Sequence, residues 1–279
     1  MTAGFDTVSF LSDYGLADEF VGVVKAVIRA IAPETRVIDV SHQVPPHDIR
    51  AGSLVLARSI QYLPTGVVLA VVDPGVGTVR RALAVEVGGD ESDGATGGRS
   101  VLLGPDNGLL APAVALAGGA RRAVALTNTD WHLAAPGPTF AGRDVFGPAA
   151  AHLCAGVELD ELGEAVDPFT LVPGIVPLSR EENGGVEGEV LWVDRFGNAQ
   201  LNIGPDEIDG MGSPVVVRIG ERTRSAARVS SFAELATGQV GLVVDSYGLV
   251  AVALDRRSAA EELALGAGDP IRLEPTDDA

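Results

Sequence analysis

The first third of the chain alternates two hydrophobic patterns, and this alternation constrains the fold more than any other feature. Residues 7–11 (TVSFL) are a short β-rich run. Residues 18–32 then place Phe20, Val23, Val24, Val27, Ile28 and Ile31 at spacings of three and four, which is one apolar helix face. Ala17 and Asp18 offer that helix a start and Pro33 an end. Residues 36–40 (RVIDV) are a second strand. Residues 48–63 are a second helical pattern, through Ile49, Leu54, Leu56, Ile60 and Leu63. Residues 66–72 (GVVLAVV) are apolar almost throughout, as in a strand covered on both faces. Strands and helices alternating at this spacing predict βαβ units and a mainly parallel sheet. Further strands are expected at 82–87 and 100–103, and a helix at 143–155. Between those two strands, GGDESDGATGGR (88–99) reads as a mobile surface loop.

The texture changes after residue 167. Residues 168–187 carry three prolines and little periodicity. Short β-rich pieces follow at 188–194, 199–203, 214–219, 240–244 and 249–254, separated by turn residues, and predict a small antiparallel sheet or barrel. The expected organisation is an N-terminal α/β domain over 1–170, a linker over 171–187 and a C-terminal antiparallel β-barrel over 188–279.

Charge excludes several functions. Lys plus Arg number 20 against 38 Asp plus Glu, a formal net charge of −18. A nucleic-acid partner needs a basic patch, and an anionic membrane surface repels such a chain. The single cysteine, Cys154, excludes an internal disulfide and a cysteine zinc cluster. The N-terminus MTAGFDTVSF has an acid and no basic segment, so it does not read as a signal peptide, and uncharged runs fall short of a membrane span. A cytoplasmic protein is expected.

In an open parallel sheet, ligands sit beyond the carboxyl ends of the strands. Acids and amides collect there: Asp13 after the first strand, Asp39, Ser41 and His42 at the second, Asp73 with Gly75 and Gly77 after the third, and Asp106 and Asn107 after the strand at 100. At any one position, the plainer reading is that such residues only make turns. Phosphate-loop, dinucleotide, zinc-protease and nucleophile-elbow motifs are absent. His42 and His47, with Asp48, match no established metal spacing, so no metal is expected.

Six ordered blocks carry a resemblance: FLSDYG (10–15), VVDPGVGTVRR (71–81), GPDNG (104–108), TFAGRDVFGPAAAHL (139–153), VDRFGNAQLNI (193–203) and DSYG (245–248). Together they resemble the S-adenosylmethionine (SAM) hydrolases, or SAM hydroxide adenosyltransferases, relatives of the SAM-dependent fluorinase and chlorinase. The resemblance implies the α/β-plus-barrel fold and a homotrimer with each site between the N-terminal domain of one subunit and the C-terminal domain of the next. It implies the reaction SAM + H2O → adenosine + L-methionine, by in-line attack on ribose C5′. SAM is substrate, and no cofactor is expected. Asp13 matches the aspartate that grips the ribose hydroxyls. Asp73 and Arg80 match the aspartate and arginine beside the attacking water, with Asp73 expected to orient it and take its proton late. Asp194, Phe196 and Asn198 match C-terminal positions that receive the ligand, for the methionine ammonium, the adenine face and an adenine edge. Asp18, Ser246 and Tyr247 also fall on ligand-contact positions. The plainer reading of DRFGN is a β-turn.

One position departs from the family pattern. The family reads TFHGRD and this chain TFAGRD, so Ala141 stands where the family histidine belongs. A methyl group can neither accept nor donate a proton. Three accounts are open: a natural variant with reduced or altered activity, another histidine such as His132 reaching the site, or an engineered alanine, which is favoured because alanine is the usual probe. Beside the hydrolase stand a SAM-dependent halogenase, which Asp73 opposes because a carboxylate repels a halide, and a non-catalytic binder of SAM or adenosine, which Ala141 alone supports.

Overall fold

Six consecutive buried residues, Thr7–Ser12, form β1, the strand around which the first half of the protein is built. The computed structural model describes residues 4–88 and 98–276, so most of the expected loop at 88–99 lies outside the described residues. The chain forms two units, Met1–Ile175 and Val176–Ala279.

In the first unit β1 leads through α1 (Phe20–Ile31) to β2 (Arg36–Ser41), then through α2 (Ile49–Ser59) to β3 (Val67–Val71). β4 (Ala82–Val87), β5 (Ser100–Pro105), α3 (Ala111–Leu116), β6 (Ala120–Ala125), α4 (Gly147–Cys154) and β7 (Glu164–Val166) complete it. The sheet order is β2-β1-β3-β5-β4-β6-β7. It is parallel from β2 to β5 and antiparallel from β5 to β7. β1 and β3 are buried throughout, because α1 and α4 share one hydrophobic cluster with them while α2 packs with α3.

Helix limits follow local chemistry. The Asp48 carboxylate accepts from Ala51 N at 2.8 Å and caps α2. The expected helix over 48–63 stops at Ser59, tightens into a 3-10 turn at Ile60–Tyr62, and becomes extended at Leu63, the residue before Pro64. The helix expected at 143–155 is instead a π turn, Gly142–Phe146, running into α4. Three further elements carry no clear sequence signal. β6 (ARRAVA) is half arginine and alanine at its exposed end, β7 has three residues, and α3 has six.

The second unit comprises β8 (Arg180–Glu182), β9 (Gly185–Val193), β10 (Ala199–Leu201), β11 (Val215–Ile219), β12 (Arg222–Val229), β13 (Val240–Val244), β14 (Val250–Leu254), α5 (Ala259–Leu263) and β15 (Pro270–Pro275). Regular structure therefore begins inside the 171–187 stretch. β10 pairs with both β14 and β9, which closes seven strands into a barrel, and β8 hangs on β9 outside the ring. Closure removes the exposed edges an open sheet would present. Val215, Val217 and Ile219 of β11 point inward by strict alternation. One ladder departs from the antiparallel expectation: β12 and β13 are parallel, joined by the crossover 230–239. β12 and β15 lacked a sequence signal because β12 is polar over its first half and β15 has proline at both ends. No helix among the described residues is long and apolar enough to cross a membrane.

Leu69 lies at the centre of β3 and is fully buried. Leu69→Ala is expected to cost about 2–5 kcal/mol, read as a lower denaturation midpoint by Trp131 fluorescence.

Candidate active site

Parallel pairing sets Ser12 of β1 opposite Val71 of β3, so the two chains leave the sheet side by side. The connection from β1 runs to one side of the sheet and that from β3 toward the other, which opens a crevice at their carboxyl ends. Asp13 and Asp73 stand at its two lips. A cavity of about 240 Å³ lies there. Asp13, Tyr14, Asp73, Thr139, Ala141 and His47 give it polar and small walls, while Phe20, Pro46, Val71 and Val76 give it apolar ones.

The loop after β3 is built to bring an arginine back onto its own aspartate. Val76 N donates to Asp73 O at 3.1 Å, Thr78 Oγ1 donates to Gly75 O at 2.7 Å, and Arg80 N donates to Thr78 Oγ1 at 3.4 Å. Gly77 takes the left-handed φ of 77° that this curl requires. Arg80 then forks onto Asp73: Nε donates to Oδ1 at 2.9 Å and Nη2 to Oδ2. The Asp73 side chain is 5 % exposed, so this charge is held by its partner rather than by water. The Arg80 guanidinium also sits 5.4 Å from the ring of the buried Phe146.

Asp13 is fixed differently. Its Oδ2 accepts from His47 N at 2.8 Å, and the following turn is pinned by Gly15 N on His42 O at 2.7 Å and Tyr14 N on Ser12 Oγ at 3.3 Å. His42 is buried, with Nδ1 2.8 Å from Ser12 Oγ and Nε2 3.1 Å from Asp39 Oδ1. Lys25 Nζ pairs with the same Asp39 at 2.8 Å. This pairing, with hydrogen bonds from Lys25 and His42, holds the Asp39 carboxyl below the usual range despite the opposing effect of its partial burial, which is the largest single influence.

Tyr14 closes the inner wall, against Phe20 at 5.7 Å and Phe140 at 5.6 Å between ring centroids. Burial first, and then the negative charges of Asp13 and Asp73, push its phenol far above the ordinary tyrosine range. The glycine of TFAGRD is explained here: a Cβ on Gly142 would stand 2.2 Å from the Tyr14 hydroxyl. Ala141 is 8 % exposed and belongs to the hydrophobic cluster of this unit while lining the cavity.

The strand-end rim thus divides. Asp106 accepts from Arg81 Nε at 2.7 Å and Val172 N at 2.8 Å, while Asn107 donates to Val72 O at 2.9 Å and accepts from Leu109 N at 3.2 Å. Those residues build turns. Asp18 is exposed ahead of α1, and neither it nor His132 lines the cavity. The histidine that does is His47, weighed from the sequence only as a metal ligand, and Tyr14 and Thr139, for which no role was expected, line the cavity with it. The proline pair before His47 and the helix cap after it are the signal that could have found it.

In the barrel unit, Asp194 is occupied by its own turn. Its Oδ1 accepts from Phe196 N at 2.8 Å and Asn198 N at 2.9 Å, and its Oδ2 accepts from Asn198 Nδ2 at 2.8 Å. The β-turn reading of DRFGN therefore holds for Asp194, and the turn displays Phe196 at 79 % exposure. Asp245 builds the DSYG turn likewise, accepting from Tyr247 N at 2.9 Å, and Ser246 and Tyr247 are exposed on it. Among the described residues no cluster of His, Cys, Asp or Glu is placed to hold a metal ion.

The fold is thus an α/β unit with two carboxylates at adjacent strand ends, followed by a closed barrel. The chain belongs to the SAM hydroxide adenosyltransferase family: residues 8–163 match its N-terminal domain and 188–272 its C-terminal domain. It is 48% identical over 266 residues to an (R)-S-adenosyl-L-methionine hydrolase of Salinispora tropica, covering 95% of this chain and 97% of that one. It is 29% identical over 289 residues to a fluorinase of an Actinoplanes species, covering 95% and 96%. The crystal structure of an uncharacterized conserved protein from Thermotoga maritima superposes with a TM-score of 0.84 at 34% identity, covering 96% of this chain and 99% of that one.

The raised Tyr14 phenol has a consequence for stability. The folded chain keeps a proton that the unfolded chain releases near pH 10. The stability it lends is complete below that range and is lost as pH rises through it. Alkaline ultraviolet titration is expected to show one tyrosine that ionises only on unfolding, a step absent from Tyr14→Phe.

Proposed function

We propose that this protein hydrolyses SAM to adenosine and L-methionine, with the (R) sulfonium epimer named for its relative as the preferred substrate. The observation that carries the proposal is the convergence of Asp13 and the Arg80-bound Asp73 on one cavity at the β1/β3 crevice. The leaving group is a neutral thioether departing from a sulfonium and needs no general acid. What remains is to hold a water in line with the C5′–S bond and to keep other water out. Asp13 has oxygens for both hydroxyls of a ribose cis-diol. Asp73, fixed by Arg80, keeps lone pairs to orient the water.

The cavity of about 240 Å³ is smaller than the ~300–1,000 Å³ of ordinary ligand sites. That supports a homotrimer in which the barrel of a neighbouring subunit supplies the rest, through Phe196 and Asn198 on adenine, Ser246 and Tyr247 nearby, and Asp194 on the methionine ammonium. Asp18 contributes from the first unit. A cytoplasmic location belongs to the same proposal. Ala141 favours a second reading, a SAM binder without turnover.

Both SAM epimers in chloride buffer, resolved by chromatography, test the proposal. Adenosine is expected, faster from the (R) epimer, and Asp73→Asn is expected to slow it by about 10²–10⁴-fold. Formation of 5′-chloro-5′-deoxyadenosine instead establishes a halogenase. Tight SAM binding without turnover, persisting after Ala141→His, establishes a binder.

A further inference from the structure

The water that attacks C5′ must lose a proton, and the cavity offers few acceptors. Asp73 holds the Arg80 guanidinium through both of its oxygens and has its remaining lone pairs on the water it orients, and an aspartate is a weak base toward water. Tyr14 is kept as the neutral phenol by burial and by the neighbouring carboxylates. Asp13 already accepts the His47 backbone N–H and, on the reading above, the ribose diol. Position 141 presents only a methyl group. Among the cavity-lining residues His47 remains, and imidazole is the side-chain type best suited to general-base work.

The backbone around His47 is set with unusual care. Pro45 and Pro46 precede it, and its φ is +67°, in the left-handed region that non-glycine residues seldom occupy. Its N–H is tied to Asp13 Oδ2 at 2.8 Å, and its carbonyl accepts from Ile49 N at 3.1 Å. The next residue, Asp48, is held by its cap on Ala51 N. A sparsely populated conformation fixed on both sides, at the mouth of a cavity, is where backbone strain serves a function.

We propose that His47 is the general base of the hydrolysis, doing for this chain what Ala141 cannot; the proposal rests on the SAM-hydrolase reading. The water oxygen bonds to C5′ on the side opposite sulfur. The C5′–S bond breaks with its electron pair staying on sulfur, and the sulfonium becomes the neutral thioether of methionine. The water's proton passes to the imidazole and from there to solvent, giving adenosine, methionine and one proton. The charged and titratable groups that line the cavity with His47 are the carboxylates of Asp13 and Asp73, the latter paired with Arg80, and the phenol of Tyr14, with Asp48 adjacent on its own segment.

His47→Asn tests this without disturbing the turn, because asparagine tolerates the left-handed conformation and keeps the backbone bond to Asp13. With (R)-SAM as substrate, kcat is expected to fall by about 10²–10⁴-fold with KM little changed. Added imidazole should restore turnover saturably to His47→Gly. Unaltered kcat in His47→Asn overturns the proposal. So does a rise in KM with no rescue by imidazole, which would assign the His47 side chain to binding substrate. If the unaltered protein forms no adenosine from either epimer, the SAM-hydrolase reading itself fails, a result distinct from both.

Discussion

The parallel register of β1 against β3 is the constraint from which the site hangs. It brings Ser12 level with Val71, so Asp13 and Asp73 leave the sheet as neighbours although sixty residues separate them. The register is enforced from outside the site. Val8, Phe10, Leu69 and Val71 are buried, and slipping either strand by one residue would turn its side chains to the opposite layer. The position of the crevice is therefore set by hydrophobic packing.

Upon that frame, two local devices hold the carboxylates. Asp73 is locked by an arginine from its own loop, seven residues on, through a glycine curl. Asp13 is locked by the backbone of a segment thirty-four residues away. Tyr14, Phe20 and Phe140 pack together beside the cavity, and Gly142 is what lets the Tyr14 hydroxyl approach the π turn so closely. A buried neutral phenol beside two carboxylates fixes which groups can accept a proton there and which cannot.

Much of this was legible in the chain. α1 and α2 follow their apolar periodicity, and β3 its unbroken apolar run, because packing against a sheet imposes those patterns directly. The elements that escaped notice were those whose faces are mostly solvated, such as β12, or too short for a period to register, such as α3 and β7. At the site, Asp13, Asp73 and Arg80 were marked by local motifs. His47 was not, since its significance arises from tertiary contact with Asp13. The same ambiguity ran the other way for Asp106 and Asn107, which carry suitable chemistry but use their polar atoms on Arg81, Val172, Val72 and Leu109.

Sequence alone determined the α/β unit followed by a β-rich unit, the family blocks, and the absence of an imidazole at position 141. These depend on hydrophobic period and on short-range motifs, which are written in consecutive residues. Only the tertiary structure decided that seven barrel strands close with one parallel ladder, which of the strand-end acids face the cavity, and that His47 shares it with Ala141. Each of these depends on which distant segments meet. A side chain's availability is set by the partners that packing brings to it, and those partners lie far along the chain.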